Sequence, residues 1–317
     1  AYGEEMRGLA EGAGIALADV AMLNARYEIT FGLMGDEAKA ADEADGCTSF
    51  GALPEATFNS HVILGQNWDW LAGVHGHCAV LRVSRNDGPD FICFTEAGIV
   101  GCKMGVNEAG IGLVVNGLVT PDDGKGPFRK PFHVRCREIL DAWNLGHAIE
   151  PVVASDRVCS TNFMIGHGDG EIIDIEAAPN DAAYLYPVDG LVTHANHLVR
   201  LRSVRSEFER ISPHSLYRGP RLDRMLRRHL GDLEIEHIRA AFCDHMSRPL
   251  SICRHEDMTL PEAKRVITVA SVIIDLTARV LYVTDGQPCS NDHQAFALDP
   301  SCAVADLPAP MPETVTA

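Results

Sequence analysis

A glycine–cysteine step joins an acidic segment to strand-like sequence. Residues 36–46 contain five acidic side chains, one lysine and no large apolar group, which predicts an exposed linker that ends where a strand begins at Cys47. Glycine leaves its carbonyl unhindered, so an adjacent thiol can attack it, shift the acyl group from nitrogen to sulfur and let water release a new N-terminus. The new Cys47 would carry a thiol with a reference pKa of about 8.5 and an α-amine of about 7.7–8.0 that can act as its base. By composition alone, a core cysteine at the start of a strand is the commoner case.

Asp69 is placed to hold that amine. If strands 47–53 and 61–67 pair antiparallel, the start of the first lies beside the end of the second, and Cys47 and Asp69 come within side-chain reach at one sheet edge. A carboxylate there would orient the α-amine by hydrogen bonding. The alternative is that Asp69 caps a turn and that its neighbouring tryptophans anchor the core.

Asparagine amides near two strand ends are candidates for stabilising an oxyanion. Asn196 lies in the run 193–197 (THANH), directly after strand-like residues, and loss of one such donor typically costs about 10²–10³ in rate. Asn116, near the end of the predicted strand 111–117, is a second candidate donor. The THANH run also holds two histidines, but it lacks a matching array of carboxylates or cysteines, so we predict no metal site there.

Arg254 is the cationic candidate, in the run 249–255 (PLSICRH). A guanidinium near Cys47 would favour the thiolate and could also bind the carboxylate or carbonyl of a substrate. The alternative is a surface arginine that follows an apolar segment.

The hydrophobic pattern predicts the elements that must position these residues. Residues 3–33 are predicted to be helical, with Ala16, Val20, Leu23 and Tyr27 on one face. The predicted strands are 47–53, 61–67, 77–84, 90–96, 99–103, 111–117, 162–166, 171–176, 191–193, 266–275 and 279–283, with a tight turn at 105–111 and further helices at 131–143 and 201–245. Strands, then helices, then strands indicate an α+β fold with stacked layers. The sequence has no glycine-rich nucleotide-binding motif.

Composition excludes several classes of function. The 317 residues include 27 Lys plus Arg and 44 Asp plus Glu, and the net charge of −17 argues against a nucleic-acid partner and against docking on an anionic membrane. No run of about 18 apolar residues is present, so we predict no membrane span. The ten cysteines include no C-x-x-C pair and are interpreted as reduced core residues, which favours a cytoplasmic location. Nothing in the pattern indicates a cofactor or a metal.

Taken together, these segments resemble the isopenicillin N acyltransferase (acyl-CoA:6-aminopenicillanic acid acyltransferase) family of self-processing N-terminal-nucleophile hydrolases. The matching segments are 5–14, 23–28, 45–48, 65–69, 107–110, 194–197 and 251–254. Each is short, and their order and spacing together carry the resemblance. Choloylglycine hydrolases, penicillin V acylases and acid ceramidase are relatives of that family.

The resemblance implies a four-layer αββα sandwich and autocleavage between Gly46 and Cys47. It implies that Cys47 is the nucleophile and that its own amine is the base. Asp69 would hold the amine, Asn196 would line the oxyanion hole, and Arg254 would lie beside the nucleophile. The second oxyanion donor, Asn116, is about one position away from its counterpart in the relatives.

The expected function is that of an amidohydrolase or N-acyltransferase that forms an acyl-Cys47 intermediate. The predicted domains are a pro-segment, 1–46, and a catalytic domain, 47–317. The expected partners are a small-molecule amide or acyl-CoA substrate and the cleaved pro-segment, and no cofactor is expected. The expected substrate-binding residues are Gln66, Trp68 and Trp70. Gln66 replaces the arginine that is usual in bile-salt hydrolases, which favours the acyltransferase-like branch.

Two alternatives stay open from the sequence. One is an amidase like choloylglycine hydrolase or penicillin V acylase, and the other is a non-catalytic, single-chain αββα binding protein. Hydrolysis and acyl transfer share the acyl-enzyme and differ only in the second nucleophile, so the sequence does not separate them. It also leaves open whether the protein forms a homo-oligomer.

Overall fold

Two antiparallel β-sheets form the centre of the molecule. The computed structural model describes residues 2–33, 46–126 and 128–307. The strands are β1 (Thr48–Ala52), β2 (Ile63–Leu71), β3 (Cys78–Val83), β4 (Phe91–Glu96), β5 (Met104–Asn107), β6 (Ile111–Gly117), β7 (Thr161–His167), β8 (Glu171–Ala177), β9 (Ala182–Leu185), β10 (Leu191–His194), β11 (Val266–Asp275), β12 (Val280–Val283) and β13 (Gln294–Ala297). The helices are α1 (Tyr2–Ala13), α2 (Leu17–Asn24), a π-helix (Glu28–Leu33), α3 (Phe132–Leu140), α4 (Leu145–Val153), α5 (Phe208–Ile211), α6 (Ser215–Leu226) and α7 (Ile235–Phe242), with 3₁₀ turns at Ala72–Val74, Arg227–His229 and Glu262–Lys264.

The sheets stack face to face between two layers of helices. The first sheet has six strands in the order β10-β1-β2-β11-β12-β13, and the second has seven in the order β3-β4-β5-β6-β7-β8-β9. Helices α6 and α7 cover the outer face of the first sheet, and α3 and α4 cover the outer face of the second. This arrangement confirms the predicted four-layer αββα sandwich.

The core between the sheets comes from β-branched and other apolar side chains on facing strands. Strand β11 (VITVASVIID) is buried at every position, as suits a central strand covered on both faces. Leu64, Val114, Met164 and Val272 are among the side chains that pack between the two sheets. The first sheet is therefore held rigidly against the second, and strand ends at its edge have fixed positions.

Strands β1 and β2 pair as the sequence predicted. Their antiparallel register sets Thr48 opposite Asn67 and Ala52 opposite Ile63. Ahead of the first residue of β1, the Gly46 amide nitrogen lies 3.5 Å from the Asp69 carbonyl oxygen in β2, so the two segments stay side by side. The start of β1 and the end of β2 therefore meet at one edge of the first sheet.

The N-terminal segment is helical, as predicted, but it buries a different face. Val20, Asn24 and Tyr27 are buried, whereas Ala16 and Leu23 of the predicted stripe are exposed. Ala16 leaves the stripe because the helix breaks there: it has extended backbone and is the N-cap of α2. A stripe counted through one continuous helix therefore fails at this point.

Polar side chains fasten this segment to the second sheet and its helices. The Asn24 amide donates to the Gly98 carbonyl oxygen (2.9 Å) and accepts from the Val100 amide (2.9 Å). The carboxylate of Glu28 accepts a hydrogen bond from the Phe132 amide at 2.7 Å, at the start of α3. These contacts leave the segment bound by hydrogen bonds as well as by apolar packing.

The strand predicted at 99–103 is wrong, because this run has no regular secondary structure and the strand there is β5. The run 105–111, predicted as a tight turn, contributes most of β5 before turning. Lys103, the last residue of this run, is fully buried, with its ammonium 2.5 Å from the Glu96 carboxylate and 3.7 Å from the centre of the Trp68 ring. A buried lysine held by a cation–π contact follows no strand periodicity.

The helices are shorter than the pattern predicted. The segment 201–245, expected to be helical throughout, contains α5, α6 and α7 separated by turns, and the sequence missed α4, β9 and β13. The longest of the described helices, α1 and α6, have 12 residues each. Among the described residues, no helix is both long and apolar enough to cross a membrane.

Candidate functional site

The Gly46–Cys47 step is enclosed by a carboxylate and a guanidinium. A Cβ atom on Gly46 would collide with Arg254 Nη1 and would lie 3.2 Å from Asp69 Oδ2, so a larger residue here would displace the Arg254 guanidinium. Cys47 is 1% exposed and belongs to the core between the sheets. The structure thus brings together Cys47, Asp69 and Arg254, which the sequence had placed together by hairpin geometry and resemblance.

Thr268 ties Asp69 to Arg254. Its hydroxyl donates to Asp69 Oδ1 (2.7 Å) and accepts from the Arg254 backbone amide (2.8 Å). The register between β2 and β11 shifts between Thr268 and Ala270, and bulges of this kind re-aim side chains beside functional sites. The carboxylate is consequently held by a hydrogen bond on one oxygen, while the other oxygen faces Gly46.

Arg218, on α6, links Cys47 to Asn196. Its side chain is fully buried, and its Nη1 donates to the Cys47 carbonyl oxygen (2.5 Å) and to Thr48 Oγ1 (2.7 Å). Its Nη2 donates to Asn196 Oδ1 at 2.7 Å. Because arginine has no acceptor, this bond fixes which end of the Asn196 amide is the oxygen, and Nδ2 points away to donate to the Gly117 carbonyl oxygen (3.0 Å).

The turn that carries Asn196 is shaped by its neighbours. Its backbone amide donates to Ser215 Oγ (2.9 Å), and His197 Nδ1 lies 2.8 Å from the same oxygen. His194 Nε2 lies 3.0 Å from Glu176 Oε1, with both side chains fully buried. Both histidines of the THANH run are therefore engaged in hydrogen bonds that position the turn.

His214 separates the two arginines. Its Nδ1 accepts from Arg218 Nε (3.1 Å), and its Nε2 lies 3.5 Å from Arg254 Nη1. Burial, followed by the charges of Arg218 and Arg254, lowers the pKa of His214 to about 2, so the imidazole is neutral. Two guanidinium groups around a neutral imidazole give this side of the Gly46–Cys47 step a positive potential, which favours a thiolate or an oxyanion.

Asn116 presents a buried donor near the same strand. Its Oδ1 accepts from Ser49 Oγ at 2.7 Å, and Ser49 lies on the same face of β1 as Cys47, two residues further along. Within the described part of the chain, Asn116 Nδ2 is buried and has no hydrogen-bond partner. Such a donor is available to a developing negative charge.

The three expected substrate-binding residues lie in different surroundings. Gln66 is fully buried, and its amide bonds the backbone N–H and C=O of Val115 on the facing sheet, so it joins the two sheets. Trp68 is 2% exposed, in the core between the sheets. Trp70 is half-buried and stacks on Tyr27 of the N-terminal segment, with ring centroids 5.8 Å apart. The side chains of Gln66 and Trp68 therefore do not line an open surface in this structure.

Sequence reasoning missed Arg218, His214 and Thr268. A signal for Arg218 was present, because it precedes Leu222 and Leu226 by four and eight residues and so falls on the apolar stripe of α6. A charge in such a stripe needs a buried partner. His214 and Thr268 offered no comparable signal, because their partners come from distant parts of the chain.

Two comparisons at the level of sequence identify relatives of this chain. Residues 57–290 match the model of the acyl-coenzyme A:6-aminopenicillanic acid acyl-transferase family, a match that begins ten residues after Cys47. The acyl-coenzyme A:6-aminopenicillanic-acid-acyltransferase 40 kDa form of Emericella nidulans is 28% identical over 300 residues, which cover 94% of this chain and 78% of that protein.

Two solved structures share the fold at low sequence identity. The N-acylethanolamine-hydrolyzing acid amidase ortholog of Caenorhabditis elegans has a TM-score of 0.52 at 11% identity, over 73% of this chain and 93% of that one. A mutant of the conjugated bile acid hydrolase from Clostridium perfringens has a TM-score of 0.52 at 11% identity, over 84% and 98%. With this N-terminal-nucleophile hydrolase fold and a family model that matches most of its length, the chain belongs to the acyl-coenzyme A:6-aminopenicillanic acid acyl-transferase family.

Proposed function

We propose that this protein is an autoprocessed cysteine N-terminal-nucleophile amidohydrolase or N-acyltransferase that acts through an acyl-Cys47 intermediate. The observation that carries the proposal is the enclosure of the Gly46–Cys47 step by the Asp69 carboxylate and by the guanidinium groups of Arg218 and Arg254. A core cysteine that only fills space would not need two buried cations and a carboxylate beside its backbone. The Gly-Cys step, the family and the charges all support the same chemistry.

The first reaction is cleavage of the chain itself. Cys47 Sγ attacks the Gly46 carbonyl carbon, a C–S bond forms, the C–N bond breaks, and the thiol proton goes to the departing amine. Water then hydrolyses the thioester, which releases a carboxylate on Gly46 and restores the Cys47 thiol beside a free α-amine. Cys47 is 1% exposed, so in the uncut chain its thiol is within reach of the Gly46 carbonyl and is closed to an external substrate. Self-cleavage therefore comes before reaction with a substrate.

The second reaction is acyl transfer from an external substrate. The α-amine of Cys47, held by Asp69, accepts the thiol proton as sulfur attacks the substrate carbonyl. One N–H of Asn196 Nδ2 bonds the Gly117 carbonyl oxygen, and the other donates to the tetrahedral oxyanion; the buried Asn116 Nδ2 is the second donor. The leaving group takes the proton, and water or an amine then removes the acyl group from sulfur.

The substrate we propose is a small-molecule amide or acyl thioester. The relative from Emericella nidulans is named for coenzyme A and 6-aminopenicillanic acid, and the structural relatives are named for N-acylethanolamine and conjugated bile acid. Each of these four compounds either carries an acyl group on nitrogen or sulfur or accepts one. The positive surroundings of Arg218 and Arg254 suit a carbonyl or carboxylate of such a substrate.

The proposed products of cleavage are a pro-segment, 1–46, and a catalytic domain, 47–317, that remain associated. Asn24 and Glu28 bind backbone groups that lie beyond the cleavage point, and Tyr27 stacks on Trp70. The free state of all ten cysteines suits the reducing cytoplasm that we propose as its location.

Intact-mass analysis of purified protein tests the proposal. The wild-type chain is expected to yield polypeptides of 46 and 271 residues, split before Cys47, and Cys47→Ala is expected to remain one chain without activity. Cys302→Ala, at an exposed cysteine, is the matched control and should be cut like the wild type. A cut Cys47→Ala chain contradicts the mechanism. A wild-type protein that stays uncut and unreactive toward thiol-directed acylating probes favours the non-catalytic binding protein instead.

A further inference from the structure

Two histidines and two cysteines form a cluster that includes both chain neighbours of Arg254. The ligating atoms of His245, Cys253, His255 and Cys289 all lie within 4.8 Å of one another. His255 Nε2 is 3.0 Å from His245 Nε2, 3.7 Å from Cys253 Sγ and 3.6 Å from Cys289 Sγ. None of the four residues takes part in the chemistry proposed above.

The three separations measured from His255 are close to the edges of a tetrahedral metal site. Zinc–nitrogen bonds of about 2.0–2.1 Å and zinc–sulfur bonds of about 2.3 Å place tetrahedral ligands about 3.4 Å apart for two nitrogens, about 3.6 Å for nitrogen and sulfur, and about 3.8 Å for two sulfurs. The nitrogen–sulfur distances at His255 fall within about 0.1 Å of that value, and the two nitrogens lie slightly closer. A small inward or outward shift of the side chains is enough to admit the ion.

The donor set selects the metal. Two imidazoles and two thiolates are borderline-soft ligands that suit zinc and disfavour magnesium or calcium, which take oxygen ligands. The two thiolates balance the charge of Zn²⁺, and their protons are released to solvent as it binds. With four protein ligands the coordination sphere is closed, which is typical of a structural site rather than a catalytic one.

We propose that His245, Cys253, His255 and Cys289 bind a zinc ion that joins the loop after α7 to the loop after β12. His245 follows α7, Cys253 and His255 flank Arg254, and Cys289 follows β12. The site is partly buried, since Cys253 is buried, His255 and Cys289 are half-buried and His245 is exposed. Because Cys253 and His255 are the residues on either side of Arg254, the ion fixes the backbone there and so restrains the position of the arginine beside the Gly46–Cys47 step.

Metal analysis of untagged protein, grown with added zinc and purified without chelator, tests the proposal. We expect about one zinc ion per chain by mass spectrometry. His245→Ala changes an exposed side chain and Cys289→Ser a half-buried one, and each should lose most of the zinc while the circular dichroism spectrum stays native. The matched controls are Cys302→Ser, at an exposed cysteine, and His237→Ala, in a pair of stacked histidines elsewhere on the molecule, and both should keep the ion.

Cobalt gives a readout that reports the ligands directly. Chelated protein refilled with Co²⁺ should show the intense visible bands of a tetrahedral ion and a thiolate-to-cobalt charge-transfer band that weakens in Cys289→Ser. Protein without zinc that also fails to take up cobalt overturns the proposal. Zinc that survives in both site variants overturns it too, as does a disulfide between Cys253 and Cys289 in protein kept under reducing conditions. Because metal content and chain cleavage are measured separately, the zinc proposal can fail while the proposed function holds, and the reverse.

Discussion

Replacement of Arg218 is expected to destabilise the fold and to slow cleavage. Its guanidinium donates to the Cys47 carbonyl oxygen at 2.5 Å and to Asn196 Oδ1 at 2.7 Å in a fully buried position. Arg218→Met removes the donor from both acceptors, and because each buried acceptor left unpaired costs about 1–3 kcal/mol, the free energy of unfolding should fall by about 2–6 kcal/mol. Arg218→Lys keeps the charge, but one ammonium cannot serve both ends of the fork, so about 1–3 kcal/mol should be lost.

Two measurements separate stability from positioning. Denaturant unfolding of the uncut Cys47→Ala background gives the loss of stability, and mass spectrometry of the Cys47 protein over time gives the rate of cleavage. Arg224→Met, at an exposed position on the same helix, is the matched control and should stay within about 0.5 kcal/mol and be cut at the wild-type rate. An Arg218→Lys protein that unfolds and is cut like the wild type would refute the reasoning.

Three further predictions follow from other contacts. Asn196→Ala should lower the rate of acyl-enzyme formation by about 10²–10³ in a single-turnover assay, and an effect on KM alone would count against an oxyanion role. Burial raises the pKa of Asp174 from 3.8 to about 6, so the folded state holds that proton more tightly and this contribution to stability is lost as pH rises from about 4 to about 6. Asp174→Asn should reduce that decline by up to about 3 kcal/mol in unfolding curves over this range, whereas parallel curves would contradict the assignment. Asn24→Ala leaves the Val100 amide without its acceptor and should loosen the cleaved pro-segment from the catalytic domain on native gel filtration, and co-elution as complete as in the wild type would argue against this anchor.

Hairpin geometry made the meeting of Cys47 and Asp69 predictable. Two strand-like runs joined by a short turn-rich segment pair antiparallel, and the observed register opposes Thr48 to Asn67. The αββα fold was predictable from the resemblance, because its matching segments are spread along most of the chain. These inferences depend on local pattern and order along the sequence, which the folded state preserves.

Contacts between distant segments could not be predicted in the same way. Thr268 reaches Asp69 across 199 positions of sequence, and Arg218 reaches the Cys47 carbonyl across 171. The hydrophobic periodicity around Thr268 and Arg218 gives no information about which distant residue each one contacts. The four proposed zinc ligands were not predicted either, because they form no C-x-x-C pair and Cys289 comes from a different loop from the other three.

The strand predicted at 99–103 was inferred from a short run of apolar residues. Contacts with distant residues, which the local pattern does not contain, place the strand at β5 instead. Gly105 lies on β5 so close to β4 that a Cβ would collide with the Ile92 carbonyl oxygen, which is why a glycine in a short strand looked like part of a turn. Lys103, two residues earlier, is buried against Glu96 and Trp68. Local propensity gives way to such contacts.

Location of the acyl group in a trapped intermediate tests the central claim most directly. Cleaved protein is mixed with an amide or acyl thioester substrate, quenched in acid, digested and mapped by mass spectrometry, with free amines labelled before digestion. The account predicts a peptide that begins at Cys47, carries the acyl group on sulfur and bears the label on its α-amine. An acyl group on any other side chain, or a reacting protein in which Cys47 is still joined to Gly46, would contradict it.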